Sequence, residues 1–533
     1  MGISKERSNS FQDNWKCVII CFAISMANCQ YGYDTATIGG FQAMIGFLQV
    51  FGYKDPSRKI GWNIGTEPQQ LISSFLNVGT IVGVLLTGPF ARYFGRRPAI
   101  WTASLVSAIA AGVQVGTTSL AGLYAGRILI GAANGFFITF ANTYTAEAAP
   151  AHLRGVIVSF FGIWVNTGSL LGAIANNFSE PHKDKLSYQI PLATIFALPL
   201  FLGVLTIFVP ESPRWLLVQG REEEARRALQ RLRGNSLKAE FFEEELVEMT
   251  RGIEREKEIA GDGSSVDSFL DMFRGTNLRR TLLCIAVTVS HSSSGIWLII
   301  AYGTFFFQMA GINEAFQASV YAKLGGVVGV MVGLYFMNNL WGRRRMICFG
   351  SATAAICMLG IAVAYTVGGP ESTAAGKAIM AFTLLYEFFY NGWSGTTSWP
   401  VAEEVVNSRL RVFSIGTATA VNYFFSWLIT YTTPYFLNKE HLDWGGNYAY
   451  IWAGSNAVTF LFFLFFLPEM NGRSLEEIDE LFENRVSVRE FSKYQCISSA
   501  QAREIAATNV NEKNEEEGMS VENEVAVGNE QKV

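Results

Sequence analysis

Long apolar segments alternate with short polar ones along most of the chain, from residue 15 to residue 468. A helix needs about 20 mostly apolar residues to cross the hydrocarbon core of a bilayer. Twelve segments meet this requirement, so the pattern predicts an all-α membrane protein with twelve transmembrane helices. The predicted helices cover residues 15–38, 68–91, 98–117, 120–144, 154–177, 188–209, 279–304, 317–338, 344–368, 373–400, 411–437 and 447–468.

Composition supports a lipid environment and excludes several classes of function. Only 16% of the residues are charged and 50% are hydrophobic, whereas soluble proteins carry about 25% charged residues. The net charge of −4 argues against nucleic acid as a partner. The seven cysteines lack metal-ligand spacing, and no nucleophile–base set indicates an enzyme. We therefore expect no cofactor, no metal and no catalytic residue.

The positions of Arg and Lys predict how the chain is oriented. Arg clusters follow the second, eighth and tenth predicted helices, and cytoplasmic loops carry such an excess. Residues 1–14 lack a signal-peptide pattern. Both termini are therefore expected on the cytoplasmic side. The predicted organisation is a tail (1–14), a first helical bundle (15–209), a cytoplasmic helical linker (210–278), a second bundle (279–468) and a cytoplasmic tail (469–533) that is disordered beyond about residue 499.

Charged motifs of the first bundle recur in the second at nearly the same offset. FGRRP at 94–98 returns as WGRRR at 341–345, AEAAPAHLRG at 146–155 as AEEVVNSRLR at 402–411, and Pro210-Glu211 as Pro468-Glu469. Two like-oriented six-helix halves are typical of transporters with a midplane substrate site. The motifs lie at cytoplasmic helix ends, where they predict a gate or mark only the cytoplasmic side. The gate candidates are Arg96, Glu147, Arg154, Glu211, Arg214, Arg343, Glu404 and Arg411.

Four segments carry a resemblance to a known family. PESPRWL at 210–216, GRILIGAANG at 126–135, YTAEAAPAHLRG at 144–155 and LPEMNGRSLEEIDELFE at 467–483 resemble motifs of the sugar porter family of the major facilitator superfamily. The resemblance covers roughly residues 15 to 490. It implies two six-helix bundles of the major facilitator fold and import of a mono- or disaccharide by alternating access. It also implies a monomer in the plasma membrane.

Further segments resemble the fungal branch of that family. YGTFFFQMAGI at 302–312, SRLR at 408–411 and TPYFLN at 433–438 are similar to α-glucoside (maltose)-type sugar:proton symporters. The chain also departs from the family pattern. Arg92 and Asn339 replace two acidic gate residues, and Gly162 stands where a sugar-contacting Gln is usual. Transport of a polyol or a cyclic acid (inositol- or quinate-like), facilitative uniport, and sugar sensing therefore stay open as alternatives.

An acidic residue lies deep in the first predicted helix. The sequence YGYD places Asp34 there, and a charge at the centre of a membrane helix costs about 2.5–3.5 kcal/mol on insertion scales. Arg127 in the fourth helix is the available partner. By the resemblance, proton symporters carry an acid at this position. Asp34 and Arg127 are therefore the predicted proton-coupling pair, and a structural ion pair in a facilitator is the alternative.

Polar and aromatic residues of the second bundle are the substrate-binding candidates. Sugars need hydrogen-bonding groups for their hydroxyls and aromatic faces for their C–H surfaces, and buried amides need partners. By the resemblance, Asn391, Trp399 and Asn422 stand at family sugar contacts. The complete set is His291, Ser292, Trp297, Tyr302, Asn391, Trp399 and Asn422. Trp297 could instead pack against lipid and Tyr302 could serve the gate. Asn177 begins a glycosylation sequon that the orientation places outside.

Overall fold

The computed structural model describes residues 14–56, 60–150, 153–233, 245–247, 249–254, 269–312, 314–369, 372–407, 410–471, 473, 475–491, 493–494 and 496. Residues 1–13 of the predicted tail, most of the linker after residue 233 and the predicted disorder beyond residue 499 lie outside these residues. The side chain of Arg154 also lies outside what the structure describes.

The first half of the molecule is helical apart from one small hairpin. Its elements are α1 (Trp15–Ser25), α2 (Ala27–Phe41), α3 (Ile45–Phe51), β1 (Tyr53–Lys54), β2 (Trp62–Asn63), α4 (Thr66–Phe94), α5 (Arg96–Gly116), α6 (Leu120–Ala148), α7 (Arg154–Val158), α8 (Phe160–Ser179), α9 (Leu186–Thr194) and α10 (Ala197–Phe208). The two strands pair antiparallel, with Tyr53 opposite Asn63.

The linker and the second half contribute the remaining elements. They are α11 (Pro213–Val218), α12 (Glu222–Arg233), α13 (Gly275–Ser293), α14 (Ile296–Met309), α15 (Ala315–Asn339), α16 (Arg343–Gly368), α17 (Thr373–Phe389), a π-helix (Tyr390–Gly395), α18 (Thr396–Val405), α19 (Arg411–Leu437), a 3₁₀-helix (Gly445–Tyr448), α20 (Ala449–Phe466) and α21 (Leu475–Glu483).

We number the predicted membrane helices as spans 1 to 12. They correspond to α1–α2, α4, α5, α6, α7–α8, α9–α10, α13–α14, α15, α16, α17 to α18, α19 and α20. Within the described residues, nine helices are long and apolar enough to cross a membrane. Spans 1, 10 and 11 are outside that set. Span 1 is interrupted at Met26, and span 10 contains the π-helix. Span 11 is one continuous helix of 27 residues, in which the side chain of Val412 lies outside what the structure describes.

Neighbouring spans approach closely at glycines. A Cβ on Gly168 of span 5 would lie 2.1 Å from the Cys29 carbonyl oxygen of span 1. A Cβ on Gly131 of span 4 would lie 2.2 Å from the Leu76 carbonyl oxygen of span 2. Without a hydrophobic driving force between helices in lipid, small residues let backbones pack directly.

Gly333→Ala is expected to lower stability, because its Cβ would lie 1.7 Å from the Gly392 carbonyl oxygen of span 10. Overpacking of this kind costs about 1–3 kcal/mol. The measurement is the thermal unfolding midpoint of the purified protein in detergent. Gly454→Ala is the matched control, since nothing lies within 4 Å of a Cβ there. Equal midpoints for the two variants would contradict the prediction.

Candidate functional site

Asp34 and Arg127 form an ion pair inside the first half. Arg127 NH1 donates to Asp34 Oδ1 at 2.8 Å, and both side chains are 0% exposed. Asn134 Nδ2 donates to the other carboxylate oxygen at 3.2 Å. Arg127 Nε and NH2 have no hydrogen-bond partner among the described residues. The pair therefore joins spans 1 and 4 and keeps donors that another group can use.

Ser292 and Tyr302 of span 7 are bonded to span 11. Ser292 Oγ donates to Asn422 Oδ1 at 2.6 Å and lies 2.8 Å from Ser426 Oγ. Tyr302 OH donates to the Thr430 carbonyl oxygen at 2.7 Å. Three predicted substrate residues, Ser292, Tyr302 and Asn422, are thus engaged in packing between two helices of the second half.

His291 and Trp297 keep polar atoms without partners. His291 Nδ1 and Trp297 Nε1 are buried and have no hydrogen-bond partner within the described part of the chain. The His291 ring lies 5.8 Å from the Tyr390 ring and 6.4 Å from the Trp297 ring. Trp399 is half-buried in α18. These side chains can therefore supply aromatic faces and unused polar groups.

A second buried ion pair lies in the second half, and the sequence interpretation missed it. Lys323 of span 8 bonds to Glu387 Oε1 of span 10. Asn391 Nδ2 donates to Glu387 Oε2 at 2.7 Å, which attaches a predicted substrate residue to the pair. The signal was present in the sequence, because two charged residues inside apolar segments carry the same membrane cost as Asp34.

The charged pair lies where the two halves meet. A Cβ on Gly326 would lie 3.0 Å from Asn166 Oδ1 of span 5, 3.1 Å from Asn391 Nδ2 and 3.3 Å from Glu387 Oε2. Asn166 also escaped the sequence interpretation. Polar groups from span 5 of the first half and span 10 of the second therefore converge on one glycine of span 8.

A small cavity of about 20 Å³ lies beside this cluster, which is room for about one water molecule. The cavity lies between spans 1 and 5 of the first half and spans 7 and 8 of the second. Its polar lining groups belong to Asn176, Thr304, Ser319 and Lys323. Lys323 is the charged side chain in that lining, and Glu387 is not part of it.

One network joins three of the predicted gate residues of the first half, Arg96, Glu147 and Glu211. Arg96 donates to both Glu147 oxygens, at 2.7 and 3.0 Å, and Ser212 Oγ donates to Glu147 at 2.5 Å. Glu211 accepts from the backbone N–H of Arg96 at 3.0 Å, at the N-terminus of α5. Burial raises the pKa of Glu211 above its ordinary value, although backbone hydrogen bonds act in the opposite direction. Arg214 is half-buried in α11.

The second half repeats this network in a weaker form. Arg343 Nε donates to Glu404 Oε1 at 3.2 Å, and Arg343 NH1 donates to Asn471 at 3.3 Å. Glu404 Oε2 and two nitrogens of Arg411 lack hydrogen-bond partners among the described residues. Gly95 faces Glu211 as Gly342 faces Glu469: an added Cβ would lie 2.8 and 2.3 Å from the respective Oε2. The repeat seen in the sequence is therefore also present in the structure.

Polar contacts join the two halves at the end opposite the Arg motifs. Tyr53 of the hairpin donates to Glu440, Thr66 Oγ1 donates to Glu440 at 3.4 Å, and Asn438 Nδ2 donates to Gln69 at 3.0 Å. Burial and the Glu440 contact raise the pKa of Tyr53 to about 12. Tyr53 therefore stays a protonated donor at physiological pH. We call these five residues the hairpin latch, and they close this end of the bundle.

Glu440→Ala is expected to open the end that the hairpin latch closes, which the predicted orientation puts outside. Losing the contacts to a charged acceptor destabilises the closed state by about 1 kcal/mol, which shifts the equilibrium between closed and open states roughly fivefold toward open. The measurement is the alkylation rate of a cysteine placed in the cavity by Ser319→Cys, using an impermeant maleimide on intact cells. The neighbouring exposed Lys439→Ala is the control. An unchanged alkylation rate in Glu440→Ala would contradict the assignment of the latch.

Two repeated helical halves, closed at one face and holding charged groups at mid-depth, define a membrane transporter. Residues 20–482 match the family model described as "Sugar (and other) transporter". The chain belongs to this family, the sugar porters of the major facilitator superfamily. It is accordingly a transporter and not an enzyme.

Relatives and solved structures agree with this assignment. The chain is 29% identical to a major facilitator-type transporter of Aspergillus rugulosus, covering 90% of each chain. It is 29% identical to the galactose transporter of Saccharomyces cerevisiae, covering 88% of this chain and 81% of that protein. A partially occluded, inward-open structure of the E. coli xylose transporter XylE matches with a TM-score of 0.70 at 20% identity, covering 87% of this chain and 100% of XylE. The fold is therefore the major facilitator fold, which implies twelve spans.

Proposed function

We propose that this protein imports a mono- or disaccharide together with a proton by alternating access. The observation that carries the proposal is the fully buried Asp34–Arg127 pair within a sugar porter chain. Protonation of Asp34 from outside neutralises the carboxylate and releases Arg127. Release of the proton to the cytoplasm re-forms the pair, because an unpaired buried cation is costly.

The names of similar proteins support a sugar as the substrate. One relative is named a probable glucose transporter of Neurospora crassa, at 29% identity over 87% of this chain and 79% of that protein. One XylE structure is titled a proton:xylose symporter, with a TM-score of 0.70 at 22% identity, covering 88% of this chain and 100% of XylE. The motifs similar to α-glucoside symporters favour a maltose-type disaccharide within this class.

The proposed substrate site is built from the second half. His291, Trp297 and Trp399 offer aromatic faces and unused polar groups, and Asn391 offers an amide beside the charged pair. Ser292, Tyr302 and Asn422 position the helices that carry these residues, through the span 7 to span 11 bonds. We place the protein in the plasma membrane as a monomer, with both termini and the Arg-rich gate in the cytoplasm.

Facilitative uniport is the second candidate function. It is favoured by the hexose transporters among the relatives. One of them, from Kluyveromyces lactis, is 27% identical over 88% of this chain and 83% of that protein. Uptake by a transporter-null yeast expressing the chain separates the two. The panel is glucose, galactose, xylose, maltose, inositol and quinate at two external pH values, with and without a protonophore. Accumulation that the protonophore abolishes supports symport. Uptake that only equilibrates, and ignores external pH, contradicts it.

A further inference from the structure

The Lys323–Glu387 pair presents its positive end to the space between the halves. Lys323 lines the cavity and is 10% exposed, whereas Glu387 lies behind it and is 2% exposed. An ammonium carries three donors, and the described contacts of Lys323 use one of them, on Glu387. Two charge-bearing N–H groups are therefore left to meet whatever occupies the cavity.

Stability alone does not account for this pair. Taking two ions out of water costs several kcal/mol each, and a buried pair adds little net stability over an apolar pair of the same size. Both members also lie in membrane helices, where charged residues mark substrate or ion pathways. The contact of Glu387 with Asn391 places the pair inside the proposed substrate site.

We propose that Lys323 binds the carboxylate of an anionic substrate when the two halves move apart and widen this cavity, so that the transported solute is a polyhydroxylated acid such as a uronic acid. This inference rests on the proposed function, because it uses the same site and the same proton. Glu387 is the counter-ion that holds Lys323 when the site is empty. Ser319 and Thr304 line the same cavity as Lys323, and Asn391 bonds to its partner Glu387, so these groups are the ones we assign to the hydroxyls of such a solute.

The test compares D-glucuronate with D-glucose, which share a ring and differ in the carboxylate. The measurement is the concentration dependence of the thermal unfolding midpoint of the purified full-length protein in detergent. The test variant is Lys323→Gln with Glu387→Gln, because removing one partner alone would leave a buried charge and destabilise the fold. The control is Lys377→Gln, which makes the same lysine substitution at an exposed position at the start of span 10.

We expect glucuronate to bind more tightly than glucose in the wild type and in Lys377→Gln. In the double variant the glucuronate affinity should fall about tenfold or more, which corresponds to losing a hydrogen bond to a charged group, while the glucose affinity persists. The proposal is overturned if the two ligands bind equally, if neither binds, or if the glucuronate preference survives in the double variant.

Uptake measurements distinguish a failure of this inference from a failure of the proposed function. Protonophore-sensitive uptake of neutral sugars, with glucuronate excluded, would overturn the role of Lys323 and leave proton symport standing. Conversely, Lys323-dependent binding of glucuronate without proton-dependent uptake would support the role of Lys323 and remove symport.

Discussion

Asp34→Asn is expected to abolish accumulation of substrate against a gradient while leaving downhill exchange in place. The carboxylate is the group that exchanges a proton in the proposed cycle, and its oxygens bond to Arg127 and Asn134 with no exposure to solvent. An amide has nearly the same shape but cannot take up a proton. Substrate can then equilibrate across the membrane without drawing on the proton gradient.

The size of the expected loss follows from the driving force. One proton gains about 2.3 kcal/mol per 100 mV, and one pH unit adds about 1.4 kcal/mol. For a neutral substrate carried with one proton, 100 mV and one pH unit together support accumulation of roughly 500-fold. The variant should fall to a ratio near one. The measurement is the steady-state ratio of internal to external labelled substrate in yeast, at an acidic external pH.

Two further variants make this result decisive. Glu180→Gln removes an exposed carboxylate beyond the end of span 5 and should accumulate substrate like the wild type. Asp34→Asn combined with Arg127→Gln removes both charges. This double variant can fold even if the unpaired, buried charge of Arg127 prevents the single variant from folding. If either Asp34 variant accumulates substrate as the wild type does, Asp34 has no part in coupling.

The membrane helices could be predicted from the sequence because a bilayer demands long apolar segments. Interruptions inside the helices could not be predicted in the same way, since they depend on neighbours that lie far away in the chain. Gly295 breaks span 7 with φ +86, and a Cβ there would lie 2.6 Å from the Trp452 ring. Span 7 also begins at Gly275, four residues before the predicted start, because membrane helices extend beyond the apolar core with polar residues.

Charged residues were predictable to different degrees within the site. Asp34 stood out because it interrupts an apolar helix, and the gate motifs stood out because they repeat. Lys323 and Glu387 also place charges inside apolar helices, but the family resemblance concerns other positions. Whether Ser292 contacts substrate or a neighbouring helix cannot be read from a sequence, because a hydroxyl serves both and only the position of Asn422 decides between them.

Glu147→Gln is expected to reduce the uptake rate far more than Glu404→Gln, although the repeat makes the two residues equivalent in position. Glu147 accepts two hydrogen bonds from Arg96 and one from Ser212. Glu404 accepts one longer bond from Arg343, and its second oxygen has no partner within the described residues. Hydrogen bonds to charged groups contribute about 1.5–3 kcal/mol each. Neutralising Glu147 therefore removes more stabilising free energy from its network than neutralising Glu404 removes from the other.

The expected reduction is about 100-fold for Glu147→Gln and about fivefold for Glu404→Gln, from losses of about 3 and 1 kcal/mol. A transporter must visit both gate states in every cycle, so destabilising one conformation slows turnover even when the substrate site is intact. Initial uptake rates, normalised to the amount of protein at the cell surface, measure this effect. Exchanging the partners, with Arg96→Glu and Glu147→Arg together, should recover part of the rate because the ion pair re-forms. Equal losses in the two halves, or no recovery on exchange, would show that the Arg residues mark only the cytoplasmic side and that the asymmetry of the two networks has no role in gating.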